Sequence, residues 1–213
     1  MRIAALYDIH GNLPALDAVL ADVERARPDA IVVGGDVAPG WLVGECLERL
    51  HALSPHWVMG NGDREALPAD QLSGFEPVVR LDDALFCHGS PRSDTEIITR
   101  ITPEERVAPM LEGVTEPIVV CGHTHQQFDR MLAGKRVVNA GSVGLPYEGD
   151  PAAFWLMLAD GEPELRRTSY DVATALETLR AAGLAELDES LDASLARPVH
   201  PDEIAAFFEG QAG

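Results

Sequence analysis

An α/β fold with a helical tail is predicted for this 213-residue chain by three observations. Short β-branched or apolar runs alternate with amphipathic helical patterns over the N-terminal half. Hairpin patterns bounded by turn residues take over from Phe128, and from Asp171 onward apolar residues recur at helical spacing.

RIAALYD (2–8) opens the chain as a strand. Asn12 then stands as an N-cap ahead of Pro14, and Leu13, Leu16, Val19, Leu20 and Val23 share one face of a helix over 12–26. AIVVGGD (30–36) is the second strand, 41–53 a second amphipathic helix, and HWVMGN (56–61) the third strand. ALFCHG (84–89) and PIVVCGH (117–123) complete a parallel-type half. An antiparallel half follows: 128–141 turns at Gly134, and 154–170 turns near Asp160 and Gly161. In the tail, Leu176 and Leu179, then Leu187, Leu191 and Leu195, then Ile204, Phe207 and Phe208 recur at helical spacing. Residues 1–183 are expected to form the main domain and 184–213 a C-terminal helical appendage packed on it.

Composition narrows the function. A hydrophobic content of 46% with 24% charged residues is globular. The longest apolar run, 152–159, is far too short to cross a bilayer, and the N-terminus has no secretory pattern, so a soluble cytoplasmic protein is expected. Cys46, Cys87 and Cys121 are odd in number and lack CxxC spacing, which suits buried reduced thiols. A formal net charge of −19 repels polyanions, making a nucleic-acid polymer or anionic membrane a poor partner. A small phosphate ester can still be drawn to a local positive centre, and the tail makes a homodimer conceivable.

Polar residues recur at one structural place, the C-terminal end of a strand. Asp8 and His10 follow the first strand, Asp36 the second, Asn61 the third, His88 the next, and His123 and His125 the one after. Such ends share an edge where ligands bind, so seven oxygen and nitrogen donors are expected to converge. A single aspartate there is usually a turn or cap, and a single histidine a satisfied core residue; seven together have no such explanation. Without thiolates the set suits Mn²⁺, Fe²⁺, Ni²⁺ or Zn²⁺. Seven donors exceed one site and fit two divalent metal ions sharing Asp36.

The ordered blocks YDIHGN, GGDVAPG, GNGDRE, CHGSP and CGHTH resemble the calcineurin-like metallophosphoesterase superfamily, whose pattern runs DxH, GD, GNH followed by Asp or Glu, H, and GHxH. NAGSVGLP (139–146) and YDVATALETLRAAGL (170–184) extend the likeness to small bacterial phosphodiesterase-type members. The resemblance implies a four-layer αββα sandwich of mixed β-sheets with a dimetal site at one edge. It gives Asp8, His10 and His125 to one ion, Asn61, His88 and His123 to the other, and Asp36 to both, with manganese the expected metal. The implied reaction is phosphate-ester hydrolysis by a metal-bridging hydroxide, phosphodiesters favoured and monoesters or phosphoproteins the alternative. Asp36, Asn61, Asp63 and His88 are the implied catalytic residues.

One departure stands out. Where the family most often has a histidine that protonates the leaving oxygen, this chain has Gly62, leaving Asp63 without the group it would orient. Three explanations stay open: a leaving group that needs little protonation, proton supply from Asp63 or the substrate, or a metal-binding scaffold with little catalysis, as in the retromer subunit of this fold. Retention of all seven donors favours an enzyme, and Gly62→His is expected to raise turnover of esters with poor leaving groups. Arg64 and Arg92 stand where a guanidinium could grip a phosphate oxygen. Their alternative is ion pairing, Arg64 with Asp63 or Glu65 and Arg92 with Asp94. Asn139 and Ser142 are expected to shape the rim. His51, His56 and His200 fall away from the strand ends, Cys87 should point away from His88, and Cys121 is expected to be a small buried hydrophobe. Without GxGxxG, GxSxG or HxHxDH patterns, dehydrogenase, serine-hydrolase and metallo-β-lactamase readings have no support.

Overall fold

In the computed structural model, which describes residues 1–183 and 188–212, two mixed sheets pack face to face. The first holds β1 (Arg2–Leu6), β2 (Ala30–Val33), β3 (His56–Val58) and β4 (Phe75–Glu76) in parallel. Its far side is extended by the antiparallel hairpin β10 (Ala153–Ala159) and β11 (Glu162–Thr168), giving the order β11-β10-β1-β2-β3-β4. The second runs β5 (Val78–Leu81), β6 (Ala84–Cys87), β7 (Ile118–Cys121), β9 (Lys135–Asn139) and β8 (Phe128–Leu132). The hairpins therefore do not make a separate antiparallel half. One joins each sheet, because β1 and β7 each leave an edge that a hairpin can pair.

Alternation along the strands builds the layers. Ala4 and Leu6 face the helices α1 (Leu13–Ala26) and α2 (Val43–His51), while Ile3, Ala5 and Tyr7 face Phe86, Val120 and Val138 of the second sheet. On the outer side of that sheet, Leu85, Cys87, Val119 and Cys121 pack on Ile98 and Val107, beneath α4 (Glu104–Val107) and the 3-10 turn Ala108–Leu111. The αββα layering and the buried unpaired thiols follow the sequence reading. Asn12 caps α1, its Oδ1 accepting from the Ala15 amide at 3.2 Å.

The strands end earlier than predicted. Their last polar and glycine residues leave the sheets as loops, and Asn61 begins the short helix α3 (Asn61–Ala66) rather than ending a strand. In the tail, Asp171 caps α5 (Val172–Ala181); α6 (Asp188–Leu191), a wide turn over Asp192–Ala196, and α7 (Pro201–Gln211) follow. Leu179, Leu191 and Leu195 pack with Trp41 and Leu145, so the tail shares a core with the sandwich. Leu187 and the boundary at 183/184 lie outside the described residues. No described helix is long and apolar enough to cross a membrane.

Candidate metal centre

All seven predicted donors meet at one end of the two sheets. They get there through loops with an unusual backbone: Asp8, His10, Asp36, His123 and His125 have φ of 53°, 48°, 56°, 67° and 56°. Left-handed backbone is uncommon outside glycine and gathers where function over-determines the chain, so its presence at five of the seven donors marks the place. Loops bond to loops, with the amides of Asp8 and His10 donating to the carbonyls of Gly35 and Asp36 at 3.0 Å each. Gly60 permits the close approach of α3, since a Cβ there would lie 2.1 Å from Asp36 Oδ1.

The donors form two adjoining groups. In each of the trios Asp8, His10, His125 and Asp36, His88, His123, the ligand atoms lie within 4.8 Å of one another. His10 Nε2 is 3.3 Å from His125 Nε2, and Asp8 Oδ1 is 3.4 Å from the latter. His88 Nε2 joins the groups, 3.3 Å from Asp36 Oδ2 and 3.9 Å from Asp8 Oδ1. Carbonyls hold three rings in place: Pro39 O accepts from His10 Nδ1 at 2.9 Å, Gly34 O from His88 at 2.9 Å and Leu145 O from His125 at 2.7 Å. Each bond fixes the tautomer that turns the Nε2 lone pair inward, the usual outer support of a metal-binding imidazole.

Three observations show that the donor set suits cations. Asp8 Oδ1 is buried without a hydrogen-bond partner. The Asn61 side-chain amide lies 3.0 Å from His123 Nδ1 and 3.2 Å from His88 Nε2, which brings the seventh donor to the second group. The charges agree. Burial alone would push the carboxyls of Asp8 and Asp36 up, yet the neighbouring imidazoles, His125 and His88 foremost, hold both below the usual range. Burial likewise opposes charge on His88, but Asp36 and Asp8 outweigh it and lift its pKa to about 10; His125 is raised beside Asp8 in the same way. Each group thus calls for positive charge. Burial and the charge of His88 bring His123 down to about 4, leaving a free lone pair.

Other predicted residues stand differently. Asp63 is fully buried, and both its oxygens are engaged by backbone: Oδ2 accepts from the Asp36 amide at 2.7 Å and Oδ1 from Ala38 at 2.8 Å. Burial pushes its carboxyl up to about 7, and its geometry is that of a brace for the Asp36 loop. Gly62 gives its amide to Asp36 Oδ1 at 2.7 Å, and a Cβ there would lie 2.3 Å from Ala38 O and 2.7 Å from Pro39 Cδ. The 38–39 loop fills the space a side chain would need, so the expected gain from Gly62→His has no structural basis.

Arg64 and Arg92 line a cleft of about 320 Å³ with Met59, Ser90 and Asp94 beside the Asn61 group. Arg64 pairs with Asp94 (2.7 Å) and Glu65 (3.7 Å), not Asp63; Arg92 pairs with Glu96 at 2.9 Å, not Asp94. Asn139 and Ser142, expected at the rim, are fully buried and brace the donor loops from within, Asn139 Nδ2 donating to Gly122 O (2.7 Å) and Ser142 Oγ to Asp8 O (2.7 Å). Sequence reasoning missed Tyr147, whose ring stacks on His125 with centroids 5.1 Å apart at 11°. No motif flags it, because the contact depends on how the loop after β9 folds back.

Residues 1–162 match the model of the calcineurin-like phosphoesterase superfamily domain. An uncharacterised protein of Methanocaldococcus jannaschii is 25% identical over 83% of this chain and 91% of its own length. Among solved structures, a metallophosphoesterase from Sphaerobacter thermophilus is 27% identical, with a TM-score of 0.78 over 93% of this chain and 99% of that one. A Pyrococcus horikoshii protein shares the fold at 17% identity and a TM-score of 0.68, with the same coverages. With the donor cluster above, these likenesses identify a phosphoesterase, and the chain belongs to the calcineurin-like phosphoesterase superfamily.

Proposed function

We propose that the enzyme hydrolyses phosphodiesters in preference to monoesters at a centre of two divalent cations. Asp8, His10 and His125 would hold one ion, Asn61, His88 and His123 the other, and Asp36 would serve both. The reading is carried by the convergence of these donors with Asp8 Oδ1 buried and unpartnered. When bound, the cations neutralise phosphoryl charge and acidify water. The oxygen and imidazole donors accept manganese, iron, nickel or zinc, with manganese the working choice.

The chain's own residues set geometry and charge. Gly62 N–H occupies Asp36 Oδ1, so Oδ2 is the oxygen left facing His88 and the centre. Asp63 keeps that loop in place through the amides of Asp36 and Ala38, a positioning role in place of proton transfer. Hydrolysis adds water to phosphorus and breaks one ester P–O bond; the departing oxygen takes its proton from solvent, since the 38–39 loop leaves no room for a side-chain donor at 62.

The diester preference is supported by the arginines. Arg64 and Arg92 are held by Asp94 and Glu96, so little free positive charge remains to receive the second negative charge of a monoester dianion. A diester monoanion needs none. The test is turnover of bis-(p-nitrophenyl) phosphate against p-nitrophenyl phosphate by the Mn²⁺-reconstituted protein. A higher kcat/KM for the diester, lost in His123→Ala, supports the proposal; a higher value for the monoester overturns the preference.

A further inference from the structure

We propose that the C-terminal helix α7 is a working part of the metal centre: it positions His125, and through it the Asp8–His10–His125 group alone. This rests on the two-cation reading above.

The contacts form a chain from tail to donor. Tyr147 stacks on His125, the Tyr147 amide donates to the His125 carbonyl at 3.1 Å, and Phe208 of α7 lies 6.4 Å from Tyr147 at a tilt of 50°. Aromatic pairs at these separations attract beyond simple burial. Gln126, 1% exposed and next in sequence to His125, clasps both elements, its Nε2 donating to Tyr147 O and Pro201 O at 2.8 Å each. Leu145, whose carbonyl fixes the His125 ring, is itself packed by Leu191 and Leu195.

The helix is anchored at both ends on the second sheet's side. Asp202 pairs with Arg100; Glu209 accepts from Thr99 at 2.7 Å and from Arg106 at 2.6 Å, and also bonds Thr102. Among the described residues, the hydrogen bonds, ion pairs and ring contacts of α7 do not reach Asp36, His88 or His123: Gly62 and Asp63 support Asp36, Gly34 supports His88, and the His123 amide donates to Asp8 Oδ2 at 3.0 Å. Losing the outer support of a metal-binding histidine typically lowers metal affinity ~10–100-fold, so the tail should act on one ion and spare the other.

Full-length Tyr147→Ala and Phe208→Ala, with Tyr147→Phe as the conservative variant and Met131→Ala as an exposed control, test this by Mn²⁺ titration. The alanine variants should weaken one of two equivalents ~10–100-fold and leave the second unchanged, while Tyr147→Phe and the control bind as wild type. Equal weakening of both equivalents, or of neither, overturns the proposal. Histidine-ring NMR without metal separates this from failure of the cation reading. His125 signals should move in both alanine variants while those of His88 and His123 stay, and an unmoved His125 overturns the proposal whatever the protein binds.

Discussion

The two donor groups are built on opposite plans. The Asp36–Asn61–His88–His123 side is braced from within the sandwich: Asp63 clamps the Asp36 loop, Gly34 O orients His88, and a glycine lets α3 close on Asp36. On the other side Asp8 is held from within by the Ser142 hydroxyl and the His123 amide, but the two histidines, His10 and His125, are braced from the periphery by Pro39 O, Leu145 O and the stacked Tyr147. Interior bracing ties a donor group to the stability of the whole fold. Peripheral bracing lets it be tuned by a loop or a tail.

Breaking the link between the groups should have the largest effect. Asp36→Ala removes the carboxylate proposed to serve both ions, and turnover is expected to fall by at least ~10²–10³ in steady-state assays. A variant within tenfold of wild type would place the chemistry elsewhere. Asp63→Ala attacks the interior brace. It strands two buried amides at ~1–3 kcal/mol each, so unfolding should be easier by about 2–6 kcal/mol in denaturant titrations. Full stability with selective loss of turnover on poor leaving groups would restore Asp63 as a proton donor.

Gly62→Ala sharpens the same side. Overpacking against Ala38 and Pro39 should cost about 1–3 kcal/mol, and neither it nor Gly62→His should gain activity on alkyl diesters. A gain with histidine would mean that the 38–39 loop yields. Smallest are the cleft arginines: solvent screens ion pairs this exposed, so Arg64→Gln and Arg92→Gln should leave melting temperature nearly unchanged, and the paired guanidiniums predict little change in diester KM. A large rise in KM would return them to phosphate binding.

The donors were legible because each strand of the alternating pattern ends in a polar residue at the edge where loops cluster, a regularity that survives without coordinates. Asp63 and Arg64 were read less well, since their partners lie in loops distant in sequence: Asp63 bonds a segment 25–27 residues away, and Arg64 pairs 30 residues away. Arg92 pairs locally, with Glu96 in place of Asp94, a choice between two nearby acids that sequence spacing alone does not decide. Gly62 read as a lost acid; only the packing of Ala38 and Pro39 reveals it as a steric requirement. The short strands Phe75–Glu76 and Val78–Leu81 carry too little pattern to announce themselves, and the division of hairpins between sheets depends on which edges remain open.

The most direct measurement of the central claim is a count of Mn²⁺ bound per chain by equilibrium dialysis in wild type, His123→Ala and Asp36→Ala. Two donor groups sharing Asp36 should give two, one and none. A single ion in wild type, or one full equivalent retained by Asp36→Ala, would contradict the shared centre.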